Sequence, residues 1–437
     1  MIKRKIVGLS HFITKKQVIL ILFFTFFSHI YAQENRNNST EGQLLYLDDR
    51  IITSISVLEL KRTKPRVIEQ CLERFIGKKV SNVDLSEVRA ALEDLGVIEV
   101  LSIDIVDNLN DSNSSLQITA HDKWSFLAGP FFNVDLANWS IGAAVYEPNA
   151  FGLHDTIVIL GTYGTKGWSA SFYYESIPEA KGNFGFSAGG SFANRNITST
   201  NQSGDTVQRR FNSMQIKPEA GISFPFTDFL TASLGLSYLN IILTDTETPV
   251  HAPSNGLQAI SLNPGLSLKQ SSWDGYLLSE KSVVINYKYN ILFDGGSVHS
   301  LALDTVFNHS FLPGFRLISK GSLLFSFGEA VHFFESAPVS SVNFLSSSYS
   351  AADYAAFSLG VEKYLFKFLF GTSFTASLSY QAAYSNGELL RNQFDHGPVA
   401  GLQLYFSKIA IPGFLLGAAY NVSKNYFSFV FNMGIAL

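Results

Sequence analysis

The chain has 437 residues, of which 14% are aromatic and 16% are charged, and its formal net charge is −4. Charged residues make up about a quarter of a typical soluble domain, so this content is low, while Phe occurs 38 times. The absence of a basic excess argues against nucleic acid as a partner. The single cysteine, Cys71, cannot form an intramolecular disulfide bond.

Residues 1–32 have the organisation of a secretory signal peptide. Lysine and arginine side chains come first, an apolar run follows over residues 18–27, and Ala32 places a small residue at the expected cleavage point. The alternative is an uncleaved membrane anchor, but the apolar run is short for a membrane span. We therefore expect cleavage, which leaves residues 33–43 as a polar N-terminal segment.

Residues 44–122 predict a small α+β domain that begins with a strand over residues 51–60. A helix follows, with Thr63 predicted as its cap and Pro65 in its first turn. Apolar residues recur on one face of this helix, which predicts a buried stripe formed by Val67, Ile68, Cys71, Leu72 and Phe75.

A second helix is predicted to begin at Asp84, which opens a sequence with the spacing of a capping box. Its predicted buried stripe consists of Leu85, Val88, Leu92 and Leu95. Strands over residues 97–106 and 115–121 complete a β-α-α-β-β order, and His121 and Asp122 are interpreted as a turn at the end of the domain.

From residue 123 to residue 437 the sequence predicts an all-β membrane protein. Short segments alternate apolar and polar residues and are separated by Gly, Asn, Asp and Pro, which is the pattern of an antiparallel transmembrane β-barrel. About sixteen strands are expected, with roughly fourteen or eighteen as alternatives. The predicted strands cover residues 123–134, 138–148, 154–165, 167–176, 183–195, 208–224, 228–243, 256–270, 279–293, 297–308, 314–328, 353–367, 372–385, 397–408, 413–422 and 425–437.

Alternation along each strand also assigns side chains to the two faces of the barrel. A charged side chain on the lipid face would cost about 2–4 kcal/mol at the bilayer midplane, so charges are expected inside. The residues expected to face the lumen include Lys288, Asp304, Glu362 and Asn432. The residues expected at the lateral seam are Trp124, Phe126 and Ala128 of the first strand and Phe427, Phe429 and Phe431 of the last strand.

Four stretches together resemble the POTRA-barrel superfamily of outer-membrane transporters. In the small domain these are residues 63–65 before the first helix and residues 95–100 at the start of the second strand. In the barrel, residues 147–152 are similar to a hairpin of that family, and residues 357–364 are similar to its Glu-containing strand. The superfamily includes the barrel-assembly protein, the two-partner-secretion exporters and the surface-antigen proteins.

The resemblance implies a location in the bacterial outer membrane, with the small domain in the periplasm. A POTRA domain binds unfolded or extended polypeptide by adding it to a sheet edge, so the implied partners are polypeptide clients, membrane lipid and accessory periplasmic proteins. No cofactor and no metal are implied. The main hypothesis is therefore insertion or translocation of polypeptides at the outer membrane.

One departure from the family supports a second hypothesis, a passive channel or a structural barrel. The long inward loop of the family carries an Arg-Gly-aromatic motif, whose Arg pairs with an acidic residue on the lumen wall. The corresponding residues 329–352 contain neither Arg nor Gly, and residues 380–382, where the acidic partner is expected, are uncharged. Both halves of the ion pair are thus expected to be missing, and this loop could lie inside the barrel or on its surface.

An enzyme is a third hypothesis, and the sequence argues against it. Neither a Gly-x-Ser-x-Gly nor a His-Glu-x-x-His pattern occurs. The polar side chains that could form a catalytic set are scattered, and they are His299, Ser300 and Asp304, and His396 with Asp395.

Overall fold

The computed structural model describes most of the chain from residue 50 onward. The described residues are 50–107, 113–134, 139–178, 183–200, 207–244, 256–274, 277–328, 341–342, 351–367, 372–386, 393–406 and 414–433. The predicted signal peptide at residues 1–32 and the polar segment at residues 33–43 lie outside them. Within these ranges, none of the helices has the length and apolar content that a membrane crossing requires.

The small domain has the predicted β-α-α-β-β order. Its elements are β1 (Ile51–Leu58), α1 (Pro65–Cys71), α2 (Leu85–Asp94), β2 (Ile98–Asp107) and β3 (Asn113–Asp122). Strand β3 lies in the middle of the sheet, parallel to β1 and antiparallel to β2. This is the fold that the helical stripes and strand spacing predicted.

The core of the small domain lies between the two helices and one face of the sheet. Alternate residues of β3 point into it, as expected for a strand that is covered on one side. The buried apolar residues of the core are Ile52, Val67, Ile68, Leu72, Phe75, Val88, Leu92, Leu95, Val97, Ile98, Val100, Leu116, Ile118 and Ala120.

Two details of the helix predictions are wrong. Leu85 was expected in the buried stripe but is 38% exposed, because it is the first residue of α2 and precedes the turns that cover the sheet. Thr63 was expected to cap α1, but the N-cap residue is Lys64 and no side chain caps this helix. Asp84 does cap α2, and its side chain accepts a hydrogen bond from the Ser86 backbone N–H at 2.7 Å. Hydrogen bonds from the Ser86 side chain and then from the Ser86 backbone lower the pKa of Asp84.

Over the described residues, the barrel sheet has sixteen antiparallel strands, which pair with one another in chain order. The strands are β4 (Leu127–Val134), β5 (Trp139–Ala150), β6 (Asp155–Gly164), β7 (Gly167–Ser176), β8 (Gly185–Thr200), β9 (Val207–Pro225), β10 (Leu230–Thr244), β11 (Leu257–Asp274), β12 (Leu277–Leu292), β13 (Ser297–Leu312), β14 (Phe315–Gly328), β15 (Asp353–Lys367), β16 (Thr372–Asn386), β17 (Gln393–Phe406), β18 (Phe414–Asn421) and β19 (Tyr426–Met433).

The two faces of the barrel strands differ as the alternation predicted. In β15, Phe357, Leu359 and Val361 are exposed on the outer face. Ser358, which lies between the first two, and Glu362, which follows Val361, are buried on the inner face. Because adjacent residues of a strand point in opposite directions, large apolar groups collect outside and polar groups inside.

Strand bounds differ from the prediction at several ends: β8 ends at Thr200 and not at 195, β11 at Asp274 and not at 270, and β13 at Leu312 and not at 308. Two strand starts differ as well. The first strand was predicted from residue 123 but β4 begins at Leu127, because the preceding residues contact the small domain. The strand predicted from residue 397 begins at Gln393, so that Phe394, Asp395 and His396 also belong to β17. A Cβ atom on Gly397 would lie 1.7 Å from the carbonyl oxygen of Tyr420 on β18, so glycine there permits close packing of the two backbones.

Candidate functional site

The small domain is joined to the barrel through the turn between β5 and β6. The backbone N–H of Lys64, at the start of α1, donates to the carbonyl oxygen of Gly152 at 2.8 Å. The side-chain amide of Asn149 is fully buried and donates to the Thr63 hydroxyl, also at 2.8 Å. Two of the stretches that carried the family resemblance, residues 63–65 and residues 147–152, therefore contact each other, and we call this contact the junction.

The shape of the β5–β6 turn depends on residues in the left-handed region. Phe151, Gly152 and His154 have φ values of 59°, 72° and 59°. Asn149 supports this turn, because its carbonyl oxygen accepts from the Gly152 N–H at 3.0 Å and its side-chain oxygen accepts from the His154 N–H at 3.0 Å. A Cβ atom on Gly152 would lie 2.0 Å from the carbonyl oxygen of Arg62, so the junction can form only around a glycine.

A single carboxylate, that of Asp122, organises the other side of the junction. It accepts hydrogen bonds from the backbone N–H groups of Lys61, Arg62 and Thr63, each at 2.8 Å, and from the Thr63 hydroxyl at 2.5 Å. Burial raises the pKa of Asp122, but the hydrogen bonds from Thr63, Arg62 and Lys61 outweigh burial and hold this pKa below its ordinary value. The carboxylate is therefore ionised at neutral pH.

The interpretation of His121 and Asp122 as a turn is wrong, because both residues belong to β3. An Asp at the end of a strand carries no local signal of this role, since its hydrogen-bond donors are about sixty residues away in the chain. The His121 ring lies 2.6 Å from the Glu59 carboxylate, and both side chains are exposed.

The Arg62 side chain contacts both the residues between β3 and β4 and the first hairpin of the barrel. Its guanidinium donates to the Ser125 hydroxyl at 2.8 Å and to the Glu147 carboxylate at 2.5 Å, and Glu147 is almost fully buried. A second ion pair between the domain and the barrel, Arg74 with Asp228 at 2.7 Å, is solvent-exposed on both sides. Exposed pairs contribute little to stability, so the junction is the stronger of these attachments.

A second buried cluster lies on the inner wall of the barrel, across strands β14 to β17. Glu362 on β15 has no exposed surface and accepts hydrogen bonds from Arg316 on β14 and Thr375 on β16. The Tyr405 hydroxyl on β17 lies 2.8 Å from Glu362 and 3.0 Å from the Arg316 guanidinium. Four neighbouring strands are thereby linked through one carboxylate.

The barrel thus holds a buried Arg–carboxylate pair, at a different place from the loop pair that residues 329–352 and 380–382 lack. The carboxylate is Glu362, and the Arg belongs to the wall and not to the loop at residues 329–352. Sequence reasoning missed Arg316 because nothing near it in the chain distinguishes it from other strand residues, and its partner lies 46 positions away.

The other residues predicted to face the lumen do not gather at one site. Lys288 lies on β12 opposite Ser300, and Asp304 lies on β13, where it accepts a hydrogen bond from Ser322 at 2.5 Å. The side chain of Asn432 lies outside the described residues.

The residues predicted at the lateral seam lie at the two ends of the sheet. Trp124 and Phe126 precede β4 and are exposed, and Ala128 pairs with Val145 on β5. Phe427 and Phe429 on β19 are exposed and pair with residues of β18, and the side chain of Phe431 is outside the described residues. Among the described strand pairings, none joins β4 to β19.

The polar residues considered as a catalytic set are separated. His299 is stacked between Tyr289 and Phe327, at 4.8 Å from each ring, whereas the neighbouring Ser300 points to the opposite face and lies 3.0 Å from the Ser326 hydroxyl. The His396 ring bonds to the Tyr380 hydroxyl at 2.5 Å and not to Asp395. Over the described part of the chain, no group of three or more His, Cys, Asp or Glu side chains could hold a metal ion.

One POTRA-like domain followed by a sixteen-stranded barrel is the architecture of the POTRA-barrel outer-membrane proteins, and the chain has that fold. No model of a known family and no curated protein matches the sequence. Solved structures do match. CdiB from Acinetobacter baumannii aligns with a TM-score of 0.60 and 14% identity, over 88% of this chain and 74% of that chain. CdiB from Escherichia coli aligns with a TM-score of 0.59 and 12% identity, over 88% and 75% of the two chains.

We predict that Gly152→Ala breaks the junction, so that the small domain detaches from the β5–β6 turn. The added methyl group would meet the Arg62 carbonyl oxygen, so the contact should lose about 2 kcal/mol or more, and trypsin should cleave after Lys61 and Arg62 about tenfold faster. The matched control is Gly77→Ala, which has a similar positive φ of 83° but open space around the new Cβ atom. Equal cleavage rates in the two variants would contradict the prediction.

We predict that Glu362→Gln destabilises the barrel by about 3–5 kcal/mol, because it removes the carboxylate charge that pairs with the buried Arg316 guanidinium. The unfolding midpoint in urea, measured on protein in lipid vesicles, should fall. The control is Glu219→Gln, which breaks the half-exposed pair with Lys217 and should cost about 1 kcal/mol or less. If both variants unfold at the same midpoint, the wall cluster does not stabilise the barrel.

Proposed function

We propose that this protein is a bacterial outer-membrane barrel that inserts or translocates polypeptides, and that its POTRA-like domain captures the client in the periplasm. The observation that supports this most is the junction, because it holds a domain of peptide-binding type directly beside the first strand of the barrel. Residues 123–126 are all that separates β3 from β4. A client bound to the domain would therefore be close to the end of the barrel sheet.

The small domain offers one open sheet edge for such a client. The outer edge of β1 is occupied by residues 77–80, since the Ile52 N–H donates to the Lys78 carbonyl oxygen at 3.0 Å and the Val80 N–H donates to the Arg50 carbonyl oxygen at 2.9 Å. The outer edge of β2 has no paired strand among the described residues. An unpaired edge is a template for an extended polypeptide, so β2 is the proposed capture strand.

The two ends of the barrel sheet are suited to opening toward lipid. Strands β4 and β19 have 8 residues each, whereas β9 has 19 and β11 has 18. Short terminal strands offer few hydrogen bonds to each other, so their separation costs less than the separation of an interior pair. Phe429, which is 86% exposed on β19, would face outer-membrane lipid at this seam.

A passive channel or structural barrel is the second candidate function. The observation that favours it is that residues 329–352 contain no Arg to pair with the wall, whereas the buried Glu362 carboxylate pairs with Arg316 of β14. In this case the small domain and the seam have only a structural role. Accessory periplasmic proteins would then be unnecessary, and no cofactor is needed under either proposal.

Client capture at β2 can be tested by site-specific photocrosslinking in cells. A photoreactive amino acid at Leu101 or Val106, both exposed on β2, should give polypeptide adducts. The same amino acid at Glu69, exposed on α1, should give few. Equal adduct formation at all three positions would argue against capture at the β2 edge.

Locking the seam separates the two candidate functions. In a Cys71→Ala background, Ser428→Cys on β19 is combined with Leu127→Cys, Gly129→Cys or Phe131→Cys on β4, so that one pair brings its Cβ atoms within disulfide range. The oxidised pair should block assembly of other outer-membrane proteins, and reduction should restore it. Unchanged assembly with the disulfide formed would support the passive barrel.

A further inference from the structure

The open edge of β2 is interrupted at Leu101. The pairing of β2 with β3 passes over this residue, because Val100 and Ser102 lie opposite consecutive residues of β3. An extra residue of this kind forms a β-bulge, which bends its strand and interrupts the regular ladder. The edge of β2 therefore has two sections, residues 98–100 before the bulge and residues 102–106 after it.

The hydrogen bonds between β2 and β3 determine which backbone groups before the bulge point to the open edge. The Val97 carbonyl oxygen accepts from the Lys123 N–H at 2.9 Å, so Val97 belongs to a hydrogen-bonded pair. Along an antiparallel ladder such pairs alternate with pairs whose N–H and C=O groups point away from the partner strand. Val100, three positions further along, therefore directs its carbonyl oxygen to the open edge.

The Arg89 side chain on α2 occupies this carbonyl oxygen. Its guanidinium donates to the Val100 carbonyl oxygen at 3.2 Å. A client strand that added to the section before the bulge would need the same oxygen as an acceptor for one of its own N–H groups, so Arg89 competes with it. Among the described residues, no side chain donates to a carbonyl oxygen of residues 102–105, and the section after the bulge therefore lacks such a competitor.

We propose that Arg89 is an edge cap, which closes β2 before the bulge and confines an extended client to residues 102–106. This inference rests on the capture role proposed for β2 and specifies the register in which the client pairs. A charged donor makes a stronger hydrogen bond than the neutral N–H of a client, so pairing before the bulge gains less than pairing after it. Leu101 and Val106 are exposed at the two ends of the open section, which favours an extended client with apolar side chains beside them.

The edge cap can be tested by photocrosslinking of the purified full-length protein in detergent. The probe is a labelled, soluble peptide of alternating valine and threonine with lysines at its ends. A photoreactive amino acid at Glu99 reports on the section before the bulge, and one at Val106, about 20 Å along the strand, reports on the section after it. Adducts should form at Val106 and few at Glu99. Arg89→Met, which removes the donors, should raise the yield at Glu99 relative to Val106 about tenfold, as expected for loss of one hydrogen bond from a charged group.

Two control variants and two results decide between the possible outcomes. Arg66→Met removes an exposed Arg of α1, and Glu93→Gln removes the carboxylate that lies 3.7 Å from the Arg89 guanidinium, so both should leave the yields unchanged. Equal yields at Glu99 and Val106 before substitution, or no rise at Glu99 in Arg89→Met, would overturn the edge cap and leave capture by β2 standing. No adduct at either position in any of the proteins would overturn capture by β2, and the edge cap with it.

Discussion

The carboxylate of Asp122 is the interaction on which the arrangement of the two parts of this molecule depends. It binds three consecutive backbone N–H groups, which fixes the path of residues 61–63 between β1 and α1. That path places the Thr63 hydroxyl against Asn149 and the guanidinium of Arg62 against Glu147. The position of the small domain beside the first hairpin of the barrel follows from this one acceptor.

Inside the barrel, the Glu362 carboxylate likewise holds groups from several strands in place. A carboxylate without exposed surface is tolerated only where hydrogen-bond donors and a counter-charge replace water, and Arg316, Thr375 and Tyr405 supply them from three other strands. In both clusters one acid gathers groups from several elements. The junction orients the small domain, and the wall cluster links strands β14 to β17.

The wall cluster explains how the barrel balances a buried carboxylate although residues 329–352 contain no Arg. A loop that supplies a charge to the wall must stay in place, since its departure would strand the opposite charge. Here the charge is supplied by β14, and the described residues of the connection between β14 and β15 contact the wall through the uncharged side chains of Ser341, Val342 and Ala351.

The sequence alone determined the class of fold, the strand count and most strand positions, because these depend on local periodicity. Residues 353–367 were predicted as a strand with the same bounds that β15 has, and both helices of the small domain were predicted from their apolar stripes. Only the tertiary structure decided the partners of Asp122 and Glu362, which lie 59 and 46 residues away along the chain. The two-residue period of a strand shows which face each side chain occupies. It carries no information about which distant strand or turn completes the hydrogen bonds of that side chain.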